Sequence, residues 1–342
     1  MHLSSCAKPK YILEQGLGQM SLISKGKWNE DVLKDKNVSE KNKAKIRKII
    51  NYKKYFYKYW SKEEEKIYSK TTFLDGDAVT WLVISSPHNE IRPHKECFPF
   101  MGCFPYLGFF KLNSAKNYIS DMEEEGFSTY MRPVYAYSTL GYFTDNILSS
   151  FFVYKEFELA ELTFHELFHT IFFAKDEVDF NENLANYFGR EMANEYFNMS
   201  DDSIKKSQLK REKHAIINQK VSELALQLNK EYKLHHNLTR KSSREILDKF
   251  IINVFYPSVK SKCEEIDLSL QNCLPLKKKW NNASLASYLT YEKNVRQIEF
   301  LRNEKKMTLK DYFGYIYKEY EKYLASDTQT GFDKFLFQSF SL

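Results

Sequence analysis

The stretch Phe164-His-Glu-Leu-Phe-His169 decides how this sequence is interpreted, because it contains the pattern His-Glu-x-x-His. If the stretch is helical, His165 and His169 are four residues apart and lie on the same face, one turn from each other. Two imidazoles in this arrangement can bind one metal ion at about 2.0–2.1 Å from each nitrogen. Glu166 points to the side of that axis, where it is better placed to act on a water molecule than to be a ligand. The stretch therefore predicts a metal site.

The flanking sequence favours a helix around this pattern. No Gly or Pro occurs from Glu156 to Phe173. Apolar residues recur there at steps of three or four, which is the helical period: Phe157, Ala160, Phe164, Phe168 and Ile171. Such a helix is mostly buried, and buried histidines need polar partners. The pentapeptide alone leaves an alternative open, in which both histidines donate hydrogen bonds to backbone carbonyl groups in the core.

A second stretch, Phe180-Asn-Glu-Asn-Leu-Ala185, offers a third ligand. Catalytic zinc sites usually have three protein ligands and one open position, which a water fills. We expect a turn and then a helix over residues 179–197, with Glu182 in its first turn and able to face the histidines. Asn186, one turn later, is expected to hold the Glu182 carboxylate or a histidine N–H. The alternative is a capping box from Asp179 to Glu182, in which the carboxylate bonds only to a backbone amide.

In these motifs the chain resembles the bacterial family of putative zinc aminopeptidases. The resemblance extends over four further stretches, in the order in which the family has them: residues 11–19, 97–106, 136–143 and 281–286. It is weak between residues 200 and 279. Phe168 stands where the family usually has Ala, which changes packing behind the metal helix but removes no ligand. The resemblance implies a peptide substrate and Zn²⁺, and the family's name alone implies an aminopeptidase rather than an endopeptidase.

The resemblance also implies a mechanism. Glu166 would take a proton from water and pass it to the leaving amine. Either Tyr137 or Tyr291 would donate a hydrogen bond to the developing oxyanion. Tyr is abundant in this chain, with 24 copies, so ordinary packing remains the alternative for both tyrosines.

A strand is predicted from Phe127 to Tyr137. By position and resemblance, it continues into an edge that pairs with an extended peptide substrate. The residues assigned to this edge are Tyr135, Ala136, Ser138 and Thr139. The alternative is an ordinary hairpin arm.

The fold class expected from these elements is α+β, mostly helical and zincin-like, with a small antiparallel sheet beside the His-Glu-x-x-His helix. We expect residues 1–20 to be a tether or lead-in and residues 21–342 to form a single catalytic unit with a helical C-terminal half. The net charge of +6 arises from 51 basic and 45 acidic residues, so we expect no nucleic-acid partner. No apolar run of about 18 residues occurs, so no transmembrane helix is predicted.

The N-terminal Leu3-Ser-Ser-Cys6 is typical of a lipobox, where bacterial lipoproteins are cut and acylated on Cys6. The charged and apolar segment that precedes a lipobox is missing, although the resembling family often carries such a signal at this point. We therefore expect a periplasmic protein of the bacterial cell envelope, anchored to the membrane through Cys6. A chain that truly starts at Met1 is expected in the cytoplasm instead.

The four remaining cysteines divide into two local pairs, Cys97 with Cys103 and Cys263 with Cys273. Two disulfides would be consistent with an oxidising periplasm. The alternative is four buried free thiols. A rival function also stays open: a membrane-tethered, non-catalytic binding protein whose metal site is structural or vestigial and has a fourth protein ligand.

Overall fold

The computed structural model describes residues 4–98, 102–136, 145–289, 295–328 and 330–338. The chain divides into two compact units that are each built from separate parts of the sequence. Unit 1 comprises Met1–Gly18, Ala78–Val134 and Ser200–Tyr291. Unit 2 comprises Gln19–Asp77, Tyr135–Met199 and Glu292–Leu342.

The described residues are mostly helical. The helices are α1 (Ser4–Ser24), α2 (Asn29–Lys34), α3 (Glu40–Trp60), α4 (Leu112–Glu124), α5 (Glu156–Phe168), α6 (Val178–Tyr196), α7 (Asp201–Lys233), α8 (Arg240–Phe250), α9 (Tyr256–Glu265), α10 (Asn282–Ala286), α11 (Val295–Glu304), α12 (Leu309–Leu324) and α13 (Phe332–Phe337). The strands are β1 (Lys27–Trp28), β2 (Lys70–Thr72), β3 (Thr80–Pro87), β4 (Glu96–Phe98), β5 (Gly102–Phe104), β6 (Leu107–Phe109), β7 (Phe127–Val134) and β8 (Ile147–Leu148). The α+β class is therefore confirmed. Within these ranges, none of the helices combines the length and apolarity that a bilayer crossing needs.

Unit 1 contains a three-stranded antiparallel sheet with β3 in the centre, β6 on one side and β7 on the other. Val83 of β3 lies opposite Leu107 and Met131, and its buried side chain joins a small apolar cluster with Ala115 of α4. The hairpin of β4 and β5 is closed by a disulfide between Cys97 and Cys103. The prolines and glycines of residues 97–108 predict a loop from the sequence, so this hairpin corrects that prediction.

The second core of unit 1 is helical. Ser200 is the N-cap residue of α7, and its side chain accepts a hydrogen bond from the Ser203 amide. α7 carries one buried face over its second half. The buried residues recur at helical steps: Ile217, Val221, Leu224 and Leu228. They pack with α8, α9 and Trp280 in one apolar cluster. A disulfide between the fully buried Cys263 and Cys273 closes the loop after α9.

Unit 2 is built around the packing of α5 against α6, with α3 covering α5. Its core is aromatic, and Phe168 of α5 stacks on Phe188 of α6 with 4.5 Å between ring centroids. Both rings are buried, so this stack fills the space between α5 and α6. A small sheet of β1, β2 and β8 precedes α5, with β2 antiparallel to β1 and parallel to β8.

α5 ends at Phe168, three residues before Ile171, the last of the apolar residues that recur at the helical period. The amides of Thr170 and Ile171 donate to carbonyl groups three residues back instead of four. The Thr170 hydroxyl also donates to the Leu167 carbonyl at 2.7 Å, which competes with continuation of the helix. His169 is therefore the C-terminal cap residue, in helical backbone conformation, and still lies one turn after His165.

Candidate metal centre

Three side chains from α5 and α6 converge on one point. The Nε2 atoms of His165 and His169 lie 3.3 Å apart. The Glu182 carboxylate lies across both imidazoles, with Oε2 at 3.4 Å from His165 Nε2 and Oε1 at 3.4 Å from His169 Nε2. The structure therefore brings together the two histidines and the acidic residue that the sequence singled out.

These separations can be compared with those of a metal site. Ligand atoms that surround a zinc ion tetrahedrally at about 2.0–2.1 Å lie about 3.3–3.4 Å from each other. The nitrogen–nitrogen distance of 3.3 Å and the two nitrogen–oxygen distances of 3.4 Å, one to each Glu182 oxygen, each agree with that spacing. His165, Glu166 and His169 also form a group whose ligand atoms lie within 4.8 Å of one another. The donor set, two imidazoles with carboxylates beside them, fits a divalent metal ion.

A close contact between helix backbones sets this geometry. Gly189 of α6 lies against α5, where a Cβ atom would be 2.8 Å from the Glu161 carbonyl oxygen and 2.8 Å from the His165 amide nitrogen. Glu182 is two turns before Gly189 on the same helix, so this contact holds its carboxylate over the histidines. Sequence reasoning did not identify Gly189. The available signal was an isolated glycine inside a helical pattern.

The capping-box alternative for Glu182 does not hold. α6 begins at Val178 with Glu177 as its N-cap residue, and no side chain caps it. Glu182 lies beyond the first turn, where its carboxylate faces the imidazoles.

The charges of the site attract a cation. Burial lowers the pKa of His165, but the hydrogen bond to Glu182 and the charge of Glu166 outweigh burial, so the pKa is raised above 6.5. A hydrogen bond from His165 to the Asn186 side chain acts in the same direction. Burial would raise the pKa of Glu182, but its bonds to the two histidines hold that pKa well below its usual range. The carboxylate is therefore ionised and offers negative charge to both rings.

Two tyrosines near Glu166 were not identified from the sequence. The pKa of Tyr68 is raised well above 10, first by complete burial and then by the charge of Glu166. The pKa of Tyr154, just before α5, is also raised, by burial and then by the nearby Tyr135, with smaller contributions from Glu158 and Glu166. Their spacing from the histidines in sequence carries no signal, so only the fold could place them here.

The predicted substrate-binding edge is partly described. β7 ends at Val134, and Tyr135 and Ala136 follow it. The Tyr135 carbonyl oxygen accepts a hydrogen bond from Ser150, and its ring contacts Tyr154. The remaining predicted residues fall outside the described ranges: Tyr137, Ser138, Thr139 and Tyr291. Cys6, the lipidation candidate, lies within α1.

The Asn281-Asn282 pair belongs to unit 1 and has a structural role. The Asn281 side chain caps α10 by accepting a hydrogen bond from the Ser284 amide at 2.8 Å. The buried Asn282 amide donates to the Pro87 and His88 carbonyl groups at 2.8 and 2.9 Å, and its oxygen accepts from Tyr232 at 3.0 Å. These bonds fix α10 to the end of β3.

Comparisons with known proteins address the family. The search of curated proteins and the search of solved structures gave no significant match. A family model described as "Putative aminopeptidase" matches residues 10–329, nearly the whole chain, and the chain therefore belongs to that aminopeptidase family.

Proposed function

We propose that this protein is a zinc-dependent aminopeptidase with a zincin-like arrangement of its metal helix. One observation carries the proposal. The Nε2 atoms of His165 and His169 lie 3.3 Å apart, and each lies 3.4 Å from one oxygen of the Glu182 carboxylate, which is the separation of neighbouring ligands around a tetrahedral zinc ion. Two histidines and one glutamate form a ligand set that catalytic zinc sites use, with a fourth position left open. The description of the family as aminopeptidases indicates that the substrate is a peptide.

The chain's own residues have distinct roles in this proposal. His165, His169 and Glu182 would hold the zinc ion, and Asn186 would orient the His165 ring through its hydrogen bond. Zinc in such a site lowers the pKa of water towards about 7 and polarises the scissile carbonyl group. Glu166 accepts the proton of the attacking water and passes it to the nitrogen of the leaving amine.

The position of Glu166 supports its role as the base. It is only 6% exposed and lies beside the two ligand histidines. A carboxylate in a water-poor site exchanges protons with a bound water more effectively than one in bulk solvent. Tyr137 or Tyr291 is proposed to donate to the oxyanion, and Tyr135, Ala136, Ser138 and Thr139 to pair with the peptide.

The test compares two carboxylate-to-amide changes on the same helix. Glu166→Gln is expected to bind zinc like the wild type and to lose about 10²- to 10⁴-fold in kcat. Glu158→Gln is the matched control, because Glu158 is exposed and a glutamine can keep its capping bond to the Lys155 amide. Full activity of zinc-loaded Glu166→Gln would contradict the assignment of Glu166 as the general base. Assays on free and N-acetylated peptides separate an aminopeptidase from an endopeptidase.

A non-catalytic binding protein with a structural metal site is the second candidate. The observation behind it is that Glu166 lies within 4.8 Å of the histidine ligand atoms and so has the reach of a fourth ligand. In that case Glu166→Gln weakens zinc binding, and neither the wild type nor the variant hydrolyses peptides. The same pair of measurements therefore decides between the two functions.

We also propose a periplasmic location with a lipid anchor on Cys6. The two disulfides, one in the β4–β5 hairpin and one after α9, support an oxidising compartment. The test measures incorporation of a labelled fatty acid when the protein is produced in a bacterial cell. We expect the wild type to be labelled and Cys6→Ser to carry no label. Equal labelling of both proteins would contradict the anchor.

A further inference from the structure

Unit 1 contains a cavity of about 150 Å³ that the proposed reaction does not use. Its walls come from the first turns of α8, the end of α4 and the start of β7. The lining includes charged groups of both signs and two apolar side chains: Arg240, Arg244, Glu123, Ser243, Phe127 and Leu247. Drug-sized ligands need roughly 300 Å³ or more, so this cavity can hold only a smaller molecule.

Ser243 is the observation that points to a ligand. It is only 2% exposed, and its hydroxyl oxygen has no hydrogen-bond partner among the described residues. A serine inside a helix commonly donates to the carbonyl group four residues back, but here the Thr239 carbonyl oxygen accepts from the Ser243 amide at 2.9 Å and from the Ser242 hydroxyl at 3.1 Å, and not from the Ser243 hydroxyl. A buried hydroxyl group without a hydrogen-bond partner costs free energy. A ligand that places a polar atom beside the Ser243 hydroxyl would remove that cost.

The surroundings of Ser243 attract negative charge. Ser243 lies near the start of α8, where the helix dipole is positive. Arg240 and Arg244 add two guanidinium groups to the same wall. The Arg240 guanidinium is fixed at the end of α4, because it donates to the Glu124 carbonyl oxygen at 2.7 Å and to the Glu123 carbonyl oxygen at 3.3 Å. Arg244 pairs with Asp248 at 3.0 Å.

Gly126 is needed for the position of Arg240. Its φ of +97° ends α4 in the left-handed region, which favours glycine. A Cβ atom there would lie 2.5 Å from Arg240 Nε. The absence of a side chain at Gly126 therefore lets the guanidinium approach the end of α4.

A negative group lies on another part of the wall. The Glu123 side chain lines the cavity and is oriented by a hydrogen bond from the Thr129 hydroxyl at 2.5 Å. A dianion such as phosphate would meet repulsion from this carboxylate. A zwitterion satisfies both walls, with its carboxylate at Ser243 and α8 and its ammonium group at Glu123.

We propose that this cavity binds a free α-amino acid with a small side chain. The α-carboxylate accepts from the Ser243 hydroxyl and faces the α8 N-terminus, while the α-ammonium group pairs with Glu123. Phe127 and Leu247 supply an apolar surface for a methyl-sized side chain. This ligand class is also the product that an aminopeptidase releases, but the proposal rests on the cavity and not on the metal centre.

The test is binding measured by calorimetry on the full chain, with no activity readout, so a failed peptidase assay does not affect it. The probes are L-alanine, acetate, methylamine and inorganic phosphate. We expect saturable binding of alanine that exceeds that of the other three. Ser243→Ala is expected to weaken alanine about 10- to 100-fold, as for loss of a hydrogen bond to a charged group. Glu123→Gln is expected to remove the preference for alanine over acetate.

Two controls keep the outcome clear. Lys241→Gln removes a positive charge from the same helix turn without touching the cavity lining, so alanine binding should not change. Ligand-free Ser243→Ala should melt at the wild-type temperature or above, because it loses a buried hydroxyl that has no partner. Unchanged alanine affinity in Ser243→Ala, acetate or phosphate binding as tight as alanine, or no saturable amino-acid binding would each overturn the proposal.

Discussion

The contact at Gly189 gives the sharpest structural prediction. Gly189→Ala places a Cβ atom 2.8 Å from two backbone atoms of α5, the Glu161 oxygen and the His165 nitrogen. Backbone atoms cannot rotate away as a flexible side chain can. α6 must therefore move away from α5, and the Glu182 carboxylate must move with it.

The size of the effect follows from the distances. Ordinary contact begins near 3.4 Å, so the helices must separate by about 0.6 Å at this point. Overpacking of this kind costs typically about 1–3 kcal/mol in the free energy of unfolding. A metal site tolerates about ±0.2 Å in its ligand distances, so we expect zinc affinity to fall by at least about tenfold.

Gly314→Ala is the matched control. Gly314 is inside α12, and an added Cβ would meet nothing within 4 Å. Alanine is favoured over glycine in a helix, so this variant should gain about 0.5–1 kcal/mol with zinc affinity unchanged. Both variants are measured by urea unfolding in chelator and by zinc competition titration. If Gly189→Ala behaves like Gly314→Ala, the helix contact does not position the site and the reasoning is refuted.

Three further predictions concern the rest of the chain. Asn282→Ala should destabilise the protein by about 3 kcal/mol in urea unfolding, because several buried backbone and hydroxyl groups lose their partner; a loss below about 1 kcal/mol would contradict its role. Replacing Cys263 and Cys273 by Ser should cost about 2–4 kcal/mol, whereas equal stability of the variant and the oxidised wild type would count against the bond. In chelator, the stability contributed by His165 should be complete below pH 6.5 and lost as the pH rises through its raised folded-state pKa. Glu182→Gln should flatten that part of the profile in melts taken across pH, and an identical profile in both proteins would exclude the ion pair as its cause.

Local patterns in the sequence predicted the parts of the site that depend on local structure. The spacing of His165 and His169 fixes their common face, whether the second histidine is in the helix or caps it. The position of Glu182 depends on the turn before α6, whose geometry the local sequence does not specify, and the structure brings its carboxylate to both rings. Gly189 could not be recognised as essential, because its role is a contact between two helices and not a property of one.

The limits of the fold prediction have a similar origin. The period of apolar residues predicts that α5 continues to Ile171, but the Thr170 side chain competes for a backbone carbonyl and the helix ends at Phe168. Pro and Gly in residues 97–108 predicted a loop, whereas cross-strand bonds and the Cys97–Cys103 disulfide make a hairpin there. Such long-range pairings have no local signature in the sequence.

The most direct test of the central claim is anomalous diffraction at the zinc absorption edge from crystals of the zinc-loaded protein. We expect one zinc peak between α5 and α6, at about 2.0–2.1 Å from His165 Nε2, His169 Nε2 and a Glu182 oxygen, with a non-protein ligand in the remaining position. A peak elsewhere, no peak, or a fourth protein ligand that closes the site would contradict the proposed metallopeptidase.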